Sequence, residues 1–131
     1  MGKKGCEKFM LTGRTALVVE EEFLIALDIQ RMLETLGVGQ TLFARTAAEA
    51  EQLQARWPEI AIAIVEIRTG DATSAALAES LVAARIPTVL VTADFNARHG
   101  IAEALALPVV VKPIPEEHMT EAIGQVISAK P

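Results

Sequence analysis

The sequence predicts one α/β domain in which helices cover both faces of a five-stranded parallel sheet. Five short apolar runs rich in Val and Ile alternate with stretches in which apolar residues recur every three or four positions. The runs do not alternate between apolar and polar residues, so both faces of each strand should be covered, as in a parallel sheet between helices. The 131 residues, of which 51% are apolar, are enough for one sizeable core.

The predicted strands are the five apolar runs, because Val and Ile favour extended backbone. They cover residues 15–20, 41–44, 60–66, 88–92 and 109–112. Residues 13–131 are expected to form the domain, and the polar residues 1–12 a flexible N-terminal tail. Cys6, the single cysteine, lies in this tail and has no partner in the chain for a disulfide.

The first two predicted helices have recognisable ends. Apolar residues recur at helical spacing between positions 25 and 36, and Gly37 follows as a stop. Thr46 and Glu49 form a capping box that should begin the second helix. The buried face of that helix is expected to hold Ala50, Leu53 and Trp57.

The other helices are predicted between the remaining strands and at the end of the chain. The third covers residues 74–84 and a short fourth covers residues 97–104. The last is expected to have Pro115 at its first position, followed by Glu116 and Glu117, whose charges favour a helix N-terminus. Its inward face should hold Met119, Ile123, Val126 and Ile127.

The composition excludes several classes of protein. A net charge of -5 and an isoelectric point near 5.0 argue against a nucleic-acid-binding protein. No run approaches the roughly 18 apolar residues of a membrane helix, so a cytoplasmic protein that binds neither membrane nor nucleic acid is expected. No strand is followed by a Gly-x-Gly-x-x-Gly turn or a Walker lysine loop, which argues against a small nucleotide- or flavin-binding protein.

Polar residues follow four of the five predicted strands. The first strand ends in Glu20, Glu21 and Glu22, the third in Glu66, the fourth in Thr92 and the fifth in Lys112. Taken singly, the three acids suit a helix N-terminus, and the threonine and lysine are ordinary at strand ends. Ligands of open parallel sheets bind beyond the carboxyl ends of the strands, so the set as a whole predicts one small site.

The order of these motifs resembles the receiver domains of two-component response regulators. "VVEEEF", "IVEIRTG", "VLVTADF" and "VVVKPI" stand in that order where receivers have an acidic pair, the phosphoaccepting aspartate, a Thr or Ser, and Lys-Pro. The resemblance covers about residues 13–129. It implies a flavodoxin-like (βα)5 fold with strand order 2-1-3-4-5 and a cis peptide bond between Lys112 and Pro113.

The resemblance also implies a role for each residue of the site. Glu66 takes the phosphoacceptor position, and Thr92 and Lys112 take the positions that contact the phosphoryl group. Val109 takes the position of an aromatic ring that turns inward on activation. Receivers hold a magnesium ion on carboxylate oxygens, which suit a hard divalent cation. The candidate ligands of that ion are Glu20, Glu21 and Glu66.

Departures from the receiver pattern decide the functional hypothesis. Compared with aspartate, Glu66 carries its carboxylate outward by about 1.5 Å, one carbon-carbon bond. A misplacement of about 1 Å can lower a rate on the order of a hundredfold, so useful phosphorylation of Glu66 is not expected. Val109 supplies no aromatic ring for the usual readout. Long acids at Glu21 and Glu66 crowd a small octahedral ion, which argues against Mg2+ binding.

The sequence therefore favours a single-domain, response-regulator-like signalling protein of a phosphorelay. We expect it to be no enzyme, and to act without phosphorylation through protein contacts of the fourth helix, fifth strand and last helix. Its expected partners are a histidine kinase, a phosphotransfer protein or a downstream effector. Two alternatives stay open: a receiver that is still phosphorylated or binds metal, and a non-catalytic interaction or dimerisation module with a relic pocket.

Two structural expectations accompany this hypothesis. The Glu66 carboxylate should reach toward Thr92 and Lys112 and stand in part for a phosphoryl group. The run "IAEALALP", residues 101–108, should be exposed and support a weak homodimer.

Overall fold

A computed structural model describes residues 11–128 and shows a five-stranded parallel sheet between two layers of helices. The elements are β1 (Thr15–Val19), α1 (Phe23–Thr35), β2 (Gln40–Ala44), α2 (Ala47–Gln52), β3 (Ile60–Glu66), α3 (Ala72–Ala83), β4 (Thr88–Thr92), α4 (Arg98–Leu105), β5 (Val109–Val111) and α5 (Glu116–Ser128). Short 3-10 helices, Gln54–Glu59 and Phe95–Ala97, precede β3 and α4. The strand order is β2-β1-β3-β4-β5 with every pair parallel, which confirms the predicted flavodoxin-like fold.

The core has two layers because strand side chains alternate between the faces of the sheet. In β1, Ala16 and Val18 pack with α1 and α5, whereas Leu17 and Val19 pack with α2, α3 and α4. Residues 62–65 of the central strand β3 are at most 1% exposed. Full burial of a large aliphatic side chain stabilises the fold by about 1.5 to 3 kcal/mol, so this packing fixes the positions of the strand ends.

Gly37 ends α1 as predicted, in a turn that requires glycine. Its φ is +101°, and a Cβ there would lie 2.8 Å from the Thr12 hydroxyl oxygen. The N–H of Gly37 donates to the carbonyl of Glu34 (3.0 Å), and the N–H of Val38 donates to that of Leu33 (3.1 Å). These two bonds form a Schellman motif, which satisfies the last carbonyls of the helix.

The predicted capping box of α2 forms in part. The Thr46 hydroxyl accepts the N–H of Glu49 at 3.2 Å. The Glu49 carboxylate turns to the N–H of Arg45 (2.8 Å) instead of that of Thr46.

The second predicted helix is divided between α2 and the following 3-10 helix. The indole N–H of Trp57 donates to the carbonyl of Ala50 (3.1 Å), which an uninterrupted α-helix would offer to residue 54. Pro58 has no N–H with which to continue a helix. Ala50 and Trp57 are buried as predicted, but Leu53 at the junction is only half-buried.

The later helices lie within two residues of their predicted bounds, with two corrections. Pro115 precedes α5 instead of being its first residue, and its carbonyl accepts the N–H of Met119 at 3.2 Å. The expected exposure of residues 101–108 is wrong for the large apolar members. Ile101 and Leu105 are one helical turn apart on the inner face of α4, and with Leu107 they pack against the core.

The predicted tail falls mostly outside the described residues, as do Cys6 and residues 129–131. Leu11, which was assigned to that tail, is 1% exposed and packs in the core beside α1 and α5, so the packed domain includes it. The bond between Lys112 and Pro113 is cis, as the receiver resemblance implied. Between residues 11 and 128, no helix is long and apolar enough to span a bilayer.

Candidate functional site

The predicted polar residues lie together at the carboxyl edge of the sheet, because all five strands run in the same direction. Glu20 directly follows β1, and Glu66 and Thr92 are the last residues of β3 and β4. Lys112 directly follows β5. The side chains of Glu20, Glu66 and Lys112 are 1%, 11% and 9% exposed, so these three charged groups are largely removed from water.

The ammonium of Lys112 lies between the carboxylates of this group. Its Nζ is 2.8 Å from Glu66 Oε2 and 3.0 Å from Glu20 Oε2, both within hydrogen-bonding distance. A third carboxylate, that of the exposed Glu22, is 3.5 Å away. Charge-assisted hydrogen bonds of this length are roughly twice as strong as neutral ones. Lys112 therefore supplies one positive charge to the two buried acids.

The protonation of the cluster follows from its burial. Burial raises the pKa of Glu20 above its usual range, and the N–H of Glu22 and the ammonium of Lys112 offset only part of that rise. Burial also lowers the pKa of Lys112, but the hydrogen bonds and charges of Glu66 and Glu20 outweigh this effect and raise it overall. The lysine is therefore an ammonium ion throughout the physiological range, as its place between two acids requires.

One oxygen of Glu20 has no hydrogen-bond partner. Oε2 accepts from both Lys112 Nζ (3.0 Å) and the N–H of Glu22 (3.0 Å). Oε1 is buried and makes no hydrogen bond within the described chain. A buried oxygen that the protein itself leaves unpaired is usually bound by an ordered water molecule.

Glu21 does not join the cluster. Its carboxylate forms an ion pair with the guanidinium of Arg68, which follows β3, and both side chains are about half exposed. Arg68 Nε also lies 3.7 Å from Glu66 Oε1, at the long end of an ion pair. Sequence reasoning missed Arg68. The sequence could have indicated its role, because Arg68 is two residues beyond Glu66. In extended backbone, side chains two residues apart point to the same side of the strand.

Thr92 lies beside the charged cluster but makes a different contact. It is 1% exposed, and its hydroxyl accepts the N–H of Asp94 at 3.1 Å. Asp94 in turn accepts from the hydroxyl of Thr69 (3.0 Å) and caps the 3-10 helix that begins at Phe95. Among residues 11–128, no hydrogen bond joins the Thr92 side chain to Glu66 or Lys112. The expected reach of Glu66 is therefore confirmed toward Lys112 and wrong toward Thr92.

Val109 opens β5 three residues before Lys112. Its side chain is half-buried and packs against the core layer of α2, α3 and α4. No aromatic residue occupies this position, and the side chains around it include the exposed Phe95, in the 3-10 helix before α4, and the half-buried Arg98, the first residue of α4. The Arg98 guanidinium stacks on the Phe95 ring at 3.7 Å from its centroid.

Several of the solved structures that this chain resembles are described as receiver domains or response regulators. A response regulator receiver domain protein from Clostridium thermocellum superposes with a TM-score of 0.72 at 18% identity, over 89% of this chain and 96% of that chain. The chain has the fold of a receiver domain. No family model and no curated protein matches it.

Two further neighbours extend this comparison. The PhyR stress response regulator gives a TM-score of 0.73 at 24% identity, over 100% of this chain and 51% of that one, so the chain spans about half the length of that regulator. The receiver domain of a histidine kinase from Arabidopsis thaliana, in complex with Mg2+ and BeF3-, gives 0.69 at 14% identity over 94% of this chain and 95% of that one. Identities this low describe the shared fold, so the function must be argued from the site.

The residues present do not fit the magnesium site that the fold implies. Two of the three candidate ligands, Glu20 and Glu66, already bind the Lys112 ammonium, and the third, Glu21, is paired with Arg68. Within the described part of the chain, no group of three acidic, histidine or cysteine side chains has the arrangement of a metal site.

Proposed function

We propose that this chain is a receiver-type signalling domain that acts through protein contacts and does not use Glu66 as a phosphoacceptor. The observation that carries this proposal is the 2.8 Å contact between Glu66 and Lys112 at the phosphoacceptor position. The carboxylate that would have to attack phosphorus is held by the cation that would otherwise stabilise the product.

The chemistry of phosphoryl transfer supports the proposal. In-line attack needs a carboxylate free to approach the phosphorus atom, and cations on the phosphoryl oxygens. Glu66 is longer than aspartate, is 11% exposed and lies against Lys112. In place of a transferable group, the pocket contains the Glu66 carboxylate and its ammonium partner. On this proposal the chain is a regulatory protein without catalytic activity.

The proposed partners are proteins of a signalling pathway: a histidine kinase, a phosphotransfer protein or a downstream effector. One neighbour of 24% identity, of which this chain spans 52%, is described as the anti-anti-sigma factor PhyR from Bartonella quintana. The description of that neighbour supports a mode of action through contacts between proteins. Next to the face formed by α4, β5 and α5 lies Phe95, which precedes α4, is 60% exposed and contacts Arg98. Aromatic and arginine side chains are common anchors of protein interfaces. Residues 101–108 give a homodimer little support, because their large side chains turn inward.

The test is phosphorylation by acetyl phosphate with magnesium present, followed by intact-protein mass spectrometry. We expect the wild type to stay unmodified while a receiver with an aspartate acceptor is labelled in the same reaction. Glu66→Asp is the matched variant, because it shortens the acid without removing its charge. A phosphorylated wild-type fraction that is absent in Glu66→Gln would overturn the proposal and establish a working receiver.

A further inference from the structure

Two cations of the same chain already contact the acids of the pocket. The Lys112 ammonium contacts one carboxylate oxygen of Glu20 at 3.0 Å and one of Glu66 at 2.8 Å. The Arg68 guanidinium forms an ion pair with the carboxylate of Glu21 and lies 3.7 Å from the other carboxylate oxygen of Glu66. Each of the three acids that would hold a divalent ion is thus engaged by a side chain that cannot lose its charge at neutral pH.

We propose that the Lys112 ammonium replaces the divalent ion in this pocket, so that the domain does not depend on Mg2+ and Lys112 is the group that excludes it. The inference concerns the resting pocket and is separate from the question of whether Glu66 accepts a phosphoryl group. Binding of Mg2+ by the wild type would therefore contradict this inference whether or not Glu66 is phosphorylated.

The distances favour an ammonium ion over magnesium. Oxygens lie 2.8 and 3.0 Å from Nζ, as in ordinary N–H···O hydrogen bonds. Magnesium needs oxygens at about 2.0 to 2.1 Å in nearly ideal octahedral geometry. A divalent ion close enough to share the oxygens that face the ammonium would be repelled by the lysine.

The remaining oxygens do not make an alternative site. Glu21 would first have to leave Arg68, and Glu22 is 63% exposed at the edge of the cluster. Glu20 Oε1 is the one buried carboxylate oxygen of the described cluster without a partner. A single oxygen is a weak ligand for an ion that requires six, and it is better suited to one ordered water.

The experiment compares urea unfolding in millimolar MgCl2 with unfolding in NaCl of the same ionic strength. We expect the wild-type curve to be unchanged. Lys112→Met frees the oxygens of Glu20 and Glu66, so its stability should become dependent on Mg2+. At a free Mg2+ concentration ten times the dissociation constant, the unfolding constant should fall roughly elevenfold. Arg31→Met is the matched control, because Arg31 pairs with Asp28 on the outer face of α1, outside the pocket. The stability of this variant should not depend on Mg2+.

A second readout detects the ion directly. Mn2+ broadens the NMR signals of nearby amides, and we expect broadening of residues 20–22 and 66–68 in Lys112→Met and none in the wild type. Lys112→Gln retains hydrogen-bond donors without the charge and should behave like Lys112→Met. It can replace Lys112→Met in both measurements if that variant does not fold. A saturable Mg2+ response of the wild type would overturn the proposal. So would the absence of any response in both lysine variants, because the length of the acids alone would then exclude the metal.

Discussion

The two halves of the pocket are adjacent in the sheet but are held by different forces. In the ionic half, Glu20, Glu66 and Lys112 form a nearly buried charge cluster. In the hydroxyl half, Thr92 and Asp94 are joined by a neutral hydrogen bond that fixes the loop leading to α4. β3 pairs directly with β4, yet among the described residues no side-chain hydrogen bond joins Glu20, Glu66 or Lys112 to Thr92 or Asp94. The side-chain hydrogen bond between the two strand ends is that of Thr69, beyond β3, to Asp94 at 3.0 Å.

The difference predicts how far a change at Glu66 would affect the rest of the pocket. A group at the phosphoacceptor position can influence α4 only through contacts that differ between two states of the loop. Glu66 makes its contact with Lys112, which follows β5, and Thr92 makes its contact within its own loop. Removal of the charge on Glu66 should therefore alter the ionic half and leave the hydroxyl half nearly unchanged.

The largest expected effect is that of Lys112→Met on stability. The substitution leaves two largely buried carboxylates without a counter-charge, and breaking a fully buried pair typically costs about 3 to 5 kcal/mol. Because the cluster opens to solvent at Glu22, we expect a loss of roughly 2 to 4 kcal/mol in the free energy of unfolding at pH 7, measured by urea denaturation.

The pH dependence of this loss tests its electrostatic origin. Burial raises the pKa of Glu20 in the folded state above its ordinary 4.5, so the folded protein binds more protons than the unfolded chain just above that pH. The corresponding stability is complete below pH 4.5 and is lost as the pH rises through the folded-state value. Without Lys112 the rise should be larger, so the deficit of Lys112→Met should narrow as the pH is lowered toward this range. A deficit independent of pH would point to lost packing of the lysine stem instead.

An intermediate effect is expected from a double-mutant cycle across the two halves. Thr92→Val removes the acceptor for the N–H of Asp94, which should lower stability by about 1 to 2 kcal/mol. Combined with Glu66→Gln, the two losses should add, with a coupling below about 0.5 kcal/mol, although the strands are neighbours. Amide exchange of residues 92–97 should respond to Thr92→Val and not to Glu66→Gln. A coupling above about 1 kcal/mol would show that the halves communicate and that the comparison is wrong.

The smallest effect is expected from Arg68→Gln. The pair with Glu21 is about half exposed on both sides, and exposed ion pairs contribute about 0 to 1 kcal/mol. We expect a change within that range, which should disappear in high salt because exposed charges are screened. A larger loss that persists in salt would assign Arg68 to the buried cluster.

The fold and the location of the site could be predicted from the sequence because both follow from short-range pattern. Apolar runs define buried strands, and parallel strands bring residues that follow them to one edge. The end of α1 at Gly37 was also predictable from the sequence, because the turn there has a positive φ next to the Thr12 backbone, which favours glycine over every other residue.

The choice of partners within the site could not be predicted in the same way. Glu20, Glu21 and Glu22 are chemically alike and consecutive, yet their side chains are 1%, 45% and 63% exposed. Which acid turns inward depends on the exit direction of β1 and on the position of a lysine that follows β5. The division of the second helix has a similar cause, because the hydrogen bond from the Trp57 indole to Ala50 depends on how the ring packs.

The sequence separation within the ionic cluster has a consequence for folding kinetics. Lys112 is 92 residues from Glu20 and 46 from Glu66, so the cluster closes only when the last strand joins the sheet. During synthesis, a chain that has not yet released β5 from the ribosome has both acids but not their cation, and hydration is their only stabilisation. Contacts that form this late act mainly on the unfolding rate, so Lys112 should govern how long the domain stays folded more than how fast it folds.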